Sequence, residues 1–187
     1  MSRDTLIARF RTIGTCPEGF SWALKGRFED IRETWAKCPR GDWMLWFLAR
    51  TDGAFTPRCR LAAVVCVDLV IPDAPARFKQ PLNTSLQVAR LYASGTVTDA
   101  ALAQAAETAS AIRDDADDID DEVSEDLASA ISICCALSPP TVEDVAEDTA
   151  CAYASLRGPT AKEEILRCMA DVIRHVVTPD DIEKTWK

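Results

Sequence analysis

Apolar residues recur at helical spacing along most of this chain. The first stripe consists of Leu6, Ile7, Phe10 and Ile13. The second consists of Phe28, Ile31, Trp35 and Cys38. Both follow the period of an amphipathic helix, and Gly14 is placed to end the first one. Beyond the second stripe, the segment 43–49 is apolar on nearly all sides. It predicts a short, central helix capped by Asp42.

The middle of the chain is less regular. The segment 51–57 is predicted to be a loop. The segment 61–70 is rich in β-branched residues and could form a strand, but no comparable segment is present to pair with it, so we predict a helix. The segment 71–81 carries three prolines and is predicted to be an irregular connector. It is also the best candidate for a boundary within what we otherwise expect to be one domain over residues 1–187.

The second half predicts alanine-rich helices with recognisable starts. We expect these starts at Asn83 or Thr84, Thr98, Val123, Thr141, Thr160 and Thr178. Capping boxes are predicted for Thr141 with Asp144 and for Thr160 with Glu163. Small residues allow neighbouring helices to approach closely, among them Ala101, Ala105, Ala109, Ala130 and Ala154. The predicted fold is therefore all-α, a compact bundle of about 8–9 helices packed as helical hairpins.

Composition places the chain among globular proteins. Hydrophobic residues make up 48 %, which is enough to build a core. The first residues lack the features of a signal peptide. The longest apolar stretch, 61–71, is interrupted by Asp68 and is about half the ~20 residues that a membrane-spanning helix needs. We therefore expect a soluble, cytoplasmic protein with no membrane partner.

The eight cysteines are expected to be reduced core thiols, because most lie within apolar helical patterns. They are Cys16, Cys38, Cys59, Cys66, Cys134, Cys135, Cys151 and Cys168. The chain contains no C-x-x-C motif and a single histidine, His175. We therefore predict neither a metal site nor a cofactor.

The net charge of −9 is concentrated in one segment. The candidate partner-binding residues are Asp114, Asp115, Asp117, Asp118, Asp120, Asp121, Glu122, Glu125 and Asp126. Without these nine acids, 21 acidic residues remain against 21 basic ones. The spacing does not fit a calcium-binding loop. The run could mimic nucleic-acid phosphates in a basic groove, or it could be a solvated connector that stabilises the start of the next helix. No direct nucleic-acid partner is expected.

No catalytic motif is present, so we predict no catalytic residues and a protein that is not an enzyme. The chain lacks a glycine-rich phosphate loop and the common hydrolase and metalloprotease signatures. Four of the five tryptophans lie within the first 46 residues. Most are expected in the core, but any that is exposed would be a typical binding anchor. An alternative is an enzyme or ligand-binding domain with a pocket beside Trp43, Trp46 and Cys66.

The segment 35–48, WAKCPRGDWMLWFL, resembles the W-x-x-C-x-x-G-D-W-M-L-W-L segment of the Imm-5-like immunity proteins, which are small helical bacterial and phage proteins. Segments 60–69 and 81–95 and the segment CMADVIR at 168–174 resemble later parts of that family. Gln80, Tyr92 and the acidic run depart from its pattern.

The resemblance implies an all-α fold and neutralisation of a toxin by binding. A phage-encoded antagonist of a host defence complex, such as an anti-CRISPR, would likewise act by binding its protein target. The leading hypothesis is thus a non-enzymatic inhibitor of a protein partner that is itself a toxin or a defence complex. Self-association through an exposed helix face is left open.

Overall fold

A computed structural model describes residues 3–53, 56–137 and 141–186. Within those ranges it contains eleven α-helices and no strand. The first six helices are α1 (Arg3–Thr12), α2 (Pro17–Gly26), α3 (Ile31–Lys37), α4 (Gly41–Leu48), α5 (Pro57–Val67) and α6 (Ala76–Ala93). The others are α7 (Asp99–Asp117), α8 (Glu122–Cys135), α9 (Glu143–Arg157), α10 (Ala161–Val176) and α11 (Pro179–Thr185). A π-helical turn, Ala49–Gly53, follows α4, and a 3-10 turn, Ile71–Asp73, precedes α6.

The prediction of an all-α fold is confirmed, but the predicted number of helices is too low. Helix α2 was not predicted; it begins after Cys16, whose sulfur accepts the backbone N–H of Gly19 at 3.3 Å. The stripe that starts at Phe28 is shorter than predicted. Asp30 accepts the N–H of Glu33 at 2.8 Å, so α3 begins only at Ile31. Segment 61–70 is largely helical, as predicted, because α5 extends to Val67.

The prediction of an irregular connector holds for residues 71–75 but is wrong for residues 76–81, and the predicted helix start at Asn83 or Thr84 is also wrong. Helix α6 already begins at Ala76. Pro72 lies in the first turn of the 3-10 helix and Pro75 immediately precedes α6, where a missing N–H costs little. Pro81 lies inside α6 and deprives it of one backbone hydrogen bond. The burial of neighbouring apolar side chains such as Leu82 offsets that loss.

Several predicted caps form and others do not. The side chain of Thr98 caps α7, and Thr178 with Asp181 forms a complete capping box at α11. Asp42 does not cap α4, because its carboxylate is bound by the guanidinium of Arg40 at 2.9 and 3.0 Å. Thr160 already has helical backbone angles, which turn its side chain away from the N–H groups that it was predicted to cap.

At the start of α9, the predicted capping box of Thr141 with Asp144 is also incomplete. The Thr141 hydroxyl donates to the Asp144 carboxylate. The residue at the N-cap position is Val142, which supplies no side-chain cap, and α9 begins at Glu143. The helix therefore starts one residue later than the box predicted.

Most side chains of α5 are buried, and this helix packs against α4, α6, α8, α9 and α10. Helices α6, α7, α8 and α9 pack against one another in succession, and α10 crosses α4, α5 and α9. Ala105, Ala109 and Ala130 are buried where α7 and α8 pair. Nearby, the hydroxyls of Ser110 and Ser132 lie 3.1 Å apart across the two helices. This pairing is the helical hairpin that the small residues predicted.

All eight cysteines are free thiols, and five of them are buried: Cys38, Cys59, Cys66, Cys134 and Cys135. Arg60 is buried among the apolar residues of α5, with 2 % of its surface exposed. Its guanidinium donates to the carbonyl of Cys134 and, at 2.9 Å, to that of Ala136, at the end of α8. In the described ranges, none of the helices is both long and apolar enough to cross a membrane.

Candidate functional site

A cleft of about 490 Å³ lies between the N-terminal helices and the start of α9. Trp43 and Trp46 lie on one face of α4, as their spacing of three predicted, and both line this cleft. Trp22 reaches it from α2, with its ring centre 5.8 Å from that of Trp43. These three tryptophans are only partly buried. The expectation that most tryptophans lie in the core is met by Trp35 but not by these three.

The floor of the cleft is fixed by contacts with the core. Trp35 is 3 % exposed and donates its indole N–H to the carbonyl of Val177 at 2.9 Å. Phe47 packs against Trp35 and Phe10, with ring centres 6.1 Å away in each case. It also stacks on Trp186 at 4.8 Å. The cleft therefore has a rigid aromatic base and partly exposed indole walls.

Three indole N–H groups remain available at this site. Those of Trp22, Trp43 and Trp46 make no hydrogen bond to other residues in the described part of the chain. None of the three is among the fully buried side-chain nitrogens that lack a hydrogen bond in the same residues, so these indole nitrogens are at least partly accessible. Indole N–H groups in protein interfaces normally find an acceptor. The cleft thus combines a large apolar surface with open donors.

The charged residues around the cleft are mainly acidic. The acids that line it are Glu18, Asp42, Glu143, Asp144 and Glu147. The basic lining residue is Arg40, whose guanidinium lies over the ring of Trp43, 5.2 Å from its centre. Arg40 is already bound to Asp42 and, at 2.9 Å, to Glu163. Its positive charge is therefore offset by its own neighbours.

Two thiols line the cleft, but neither is paired with a histidine. Burial raises the pKa of Cys38 to about 12, so this group stays a thiol at neutral pH. Cys16 caps α2 through its sulfur. His175 lies in the last turn of α10, is exposed, and its Nδ1 is 2.8 Å from the carbonyl oxygen of Asp171. No group of acidic, cysteine or histidine side chains in the described ranges is arranged to hold a metal ion.

The nine predicted acidic residues differ in their exposure and in their local contacts. Asp114, Asp115 and Asp117 end α7, Asp118 and Asp120 lie in the following turn, and Glu122 begins α8; all six are exposed. Asp114 pairs with Arg113 at 3.1 Å. Asp121 is a helix cap that accepts the N–H of Ser124 at 3.1 Å and its hydroxyl at 2.8 Å. Part of the run therefore has the role of helix capping that the solvated-connector interpretation predicted.

Glu125 and Asp126 are partly buried on α8, and Asp126 lies close to the acids of α9. Burial, followed by the charges of Asp148 and Glu125, raises the pKa of Asp126 to about 6. Burial also raises the pKa of Asp148, whose carboxylate accepts the hydroxyl of Ser129 at 2.7 Å. Negative charge thus continues from Asp126 towards Glu147 at the rim of the cleft.

The alternative prediction was a pocket beside Trp43, Trp46 and Cys66. The two tryptophans line the cleft, but Cys66 does not. Cys66 is fully buried in α5 and donates to the carbonyl of Ala62 at 3.2 Å. Trp22 was predicted only as one of four early tryptophans, any of which could be a binding anchor if exposed, and Glu143, Asp144 and Glu147 were not predicted to belong to a site. Trp22 lies on the unpredicted helix α2, and the three acids lie far along the chain at the start of α9. The acids in the first turn of α9 were the available signal, but only Asp144 was interpreted, as part of a capping box with Thr141.

The described residues form an all-helical fold with an aromatic cleft that is rimmed by acids. Comparisons with protein-family models, with curated proteins and with solved structures found no match for this chain. The resemblance of segment 35–48 to the Imm-5-like immunity proteins therefore stays a prediction.

Proposed function

We propose that this protein is a non-enzymatic inhibitor that binds a protein partner through the tryptophan cleft. The partner would be a toxin, for an immunity protein, or a host defence complex, for a phage-encoded antagonist. The observation that carries the proposal is the set of partly exposed tryptophans, Trp22, Trp43 and Trp46, around a cleft of about 490 Å³. Tryptophan is the residue type most enriched among binding hot spots, and exposed aromatic clusters mark interaction sites.

The polar groups of the cleft favour binding over catalysis. A cysteine–histidine nucleophile needs the two side chains within hydrogen-bond reach. His175 does not line the cleft, and the raised pKa of Cys38 keeps that thiol protonated. Arg40 forms ion pairs with Asp42 and Glu163, so these three charged groups are already used in contacts within the protein. A rigid apolar floor with open indole donors is the arrangement of a recognition site.

A second candidate contact surface is the acidic turn, defined as the exposed acids at positions 114, 115, 117, 118, 120 and 122. Among the described residues, the acidic turn makes one ion pair, between Asp114 and Arg113. A surface of this kind would attract a basic site on a partner, such as a nucleic-acid-binding groove, and would act mainly on the association rate. Asp121 is left out of this set, because it caps α8.

The two surfaces can be separated with two variants used as bait. The cleft variant carries Trp43→Ala and Trp46→Ala, and the turn variant carries Asp117→Asn, Asp118→Asn and Asp120→Asn. A partner captured from source cells by the wild-type protein is identified, purified and tested against both. The proposal predicts that the cleft variant loses binding while the turn variant keeps it. Loss in the turn variant alone, with a weaker salt dependence, would move the site to the acidic turn.

A further inference from the structure

The charges around the tryptophan cleft indicate which charge a ligand of the cleft should carry. Glu18, Glu143 and Asp144 have no ion-pair partner among the residues that the structure describes. Glu147 is paired with Lys162, and Asp42 with Arg40. After these pairs are removed, the remaining lining charges are all negative. An anionic ligand would meet repulsion here, and a cation would meet attraction.

The acids on the α9 side of the cleft already repel one another. The pKa of Asp144 is raised, first by burial and then by the charge of Glu147, which follows it by three residues on the same helix. A positive charge beside Asp144 would offset its repulsion by Glu147. It would also form charge-assisted hydrogen bonds with the exposed Asp144 and the half-buried Glu143.

The tryptophan side chains that line the cleft can accommodate an apolar group. The walls formed by Trp22 and Trp43 present ring surface and open indole N–H groups. The Arg40 guanidinium already lies over the ring of Trp43, so this indole is engaged on one side by a cation of the protein itself. The carboxylates of α9 are therefore better placed than the indoles to recognise the cation of a ligand. The indoles of Trp22 and Trp43 can then contact the apolar part of the ligand and donate a hydrogen bond to one of its carbonyl oxygens.

We infer that the cleft recognises an arginine or lysine side chain flanked by an aromatic or large aliphatic residue in a segment of the partner protein. This inference rests on the proposed function, because it names the chemistry of the segment that occupies the same cleft. The apolar residue packs against Trp22 and Trp43, and the cation pairs with Glu143 and Asp144. A volume of about 490 Å³ lies within the range of sites that hold a ligand of this size.

Three capped dipeptides test the inference: N-acetyl-phenylalanyl-arginine amide, its glutamine analogue and its glutamate analogue. Their binding is followed by the indole N–H signals of the protein in nuclear magnetic resonance spectra, up to about 10 mM peptide, which detects dissociation constants in the millimolar range. We expect the arginine peptide to shift the signals of Trp22 and Trp43. It should bind about tenfold more tightly than the glutamine peptide, and the glutamate peptide should bind most weakly.

The double variant Glu143→Gln, Asp144→Asn should lose most of this preference for arginine while keeping its affinity for the glutamine peptide. Glu164→Gln, an exposed acid on α10 that does not line the cleft, is the matched control and should behave as the wild type does. Equal affinities for the three peptides would overturn charge recognition, while binding at the cleft would stand. Indole signals unmoved by any peptide would also overturn the inference. The proposed function fails separately, if the purified partner binds the Trp43→Ala, Trp46→Ala variant as tightly as it binds the wild type.

Discussion

Replacing Gly41 by alanine should destabilise the protein strongly, although the change adds one methyl group. Gly41 is buried at the start of α4, where that helix crosses α10. A Cβ atom at this position would lie 2.4 Å from Cβ of Met169 and 3.2 Å from the backbone nitrogen of Ala170. Both Cβ atoms are fixed by the backbone, so no change of rotamer can separate them. The two helices themselves would have to move apart.

The magnitude follows from that geometry. Carbon atoms in contact lie about 3.5–4.0 Å apart, so α4 and α10 must separate by more than about 1 Å. The buried side chains at this crossing include Met44, Leu48 and Met169, and they would lose part of their packing. Overpacked cores typically cost about 1–3 kcal/mol. Because nothing at this contact can rotate away, we expect about 3 kcal/mol, or a fall in Tm of roughly 6–12 °C for a chain of this size.

Urea denaturation followed by circular dichroism measures the effect. Gly19→Ala is the matched control, because Gly19 is also buried in a helix but its added Cβ would lie 3.2 Å from the sulfur of Cys16. There, a slight adjustment and the better helix propensity of alanine should keep the change within about 1 kcal/mol. If Gly41→Ala is as stable as the wild type to within about 0.5 kcal/mol, the close crossing of α4 and α10 is refuted.

The pH dependence of stability and the substitution of Arg60 provide two further predictions. Because the pKa of Asp126 is raised to about 6, the folded protein binds this proton more tightly than the unfolded chain does, so stability should increase as the pH falls from 7 towards about 4. Because burial also raises the pKa values of Asp144 and Asp148, Asp126→Asn should weaken this dependence without abolishing it, and it should raise stability at pH 7 by about 1 kcal/mol after allowance for solvent screening. A stability that is flat with pH in the wild type would disprove the assignment. Arg60→Met should cost about 2 kcal/mol in urea denaturation, because it leaves the carbonyls of Cys134 and Ala136 without this donor. An Arg60→Met variant as stable as the wild type would show that other donors satisfy these carbonyls.

Much of the fold could be predicted from local patterns. The stripe that ends at Gly14, the cap at Thr98 and the capping box at Thr178 all mark real helix boundaries, because each depends on residues close together in the chain. The prediction failed at Pro81 because helix formation there depends on residues that are distant in the chain. A proline inside a helix is tolerated only when tertiary packing offsets the lost hydrogen bond, and packing cannot be read from local sequence.

The cleft could be predicted only in part. The spacing of Trp43 and Trp46 placed both on one face of α4, and the structure directs that face to the cleft. Trp22 and the acids of α9 join them through long-range packing, which has no local signature. The acidic run drew attention because it is contiguous in sequence, but the structure divides it among an exposed turn, a helix cap at Asp121 and the partly buried Asp126.

The tryptophan cleft is tested most directly by the dissociation constant of the purified partner for Trp43→Ala, measured by isothermal titration calorimetry. Leu91→Ala, which truncates an exposed apolar side chain on α6, is the control. A central hot-spot residue costs at least about 2 kcal/mol when truncated, so Trp43→Ala should weaken binding by about 30-fold or more while the control leaves it unchanged. Equal affinities of the folded Trp43→Ala protein and the wild type would contradict a binding site in the cleft.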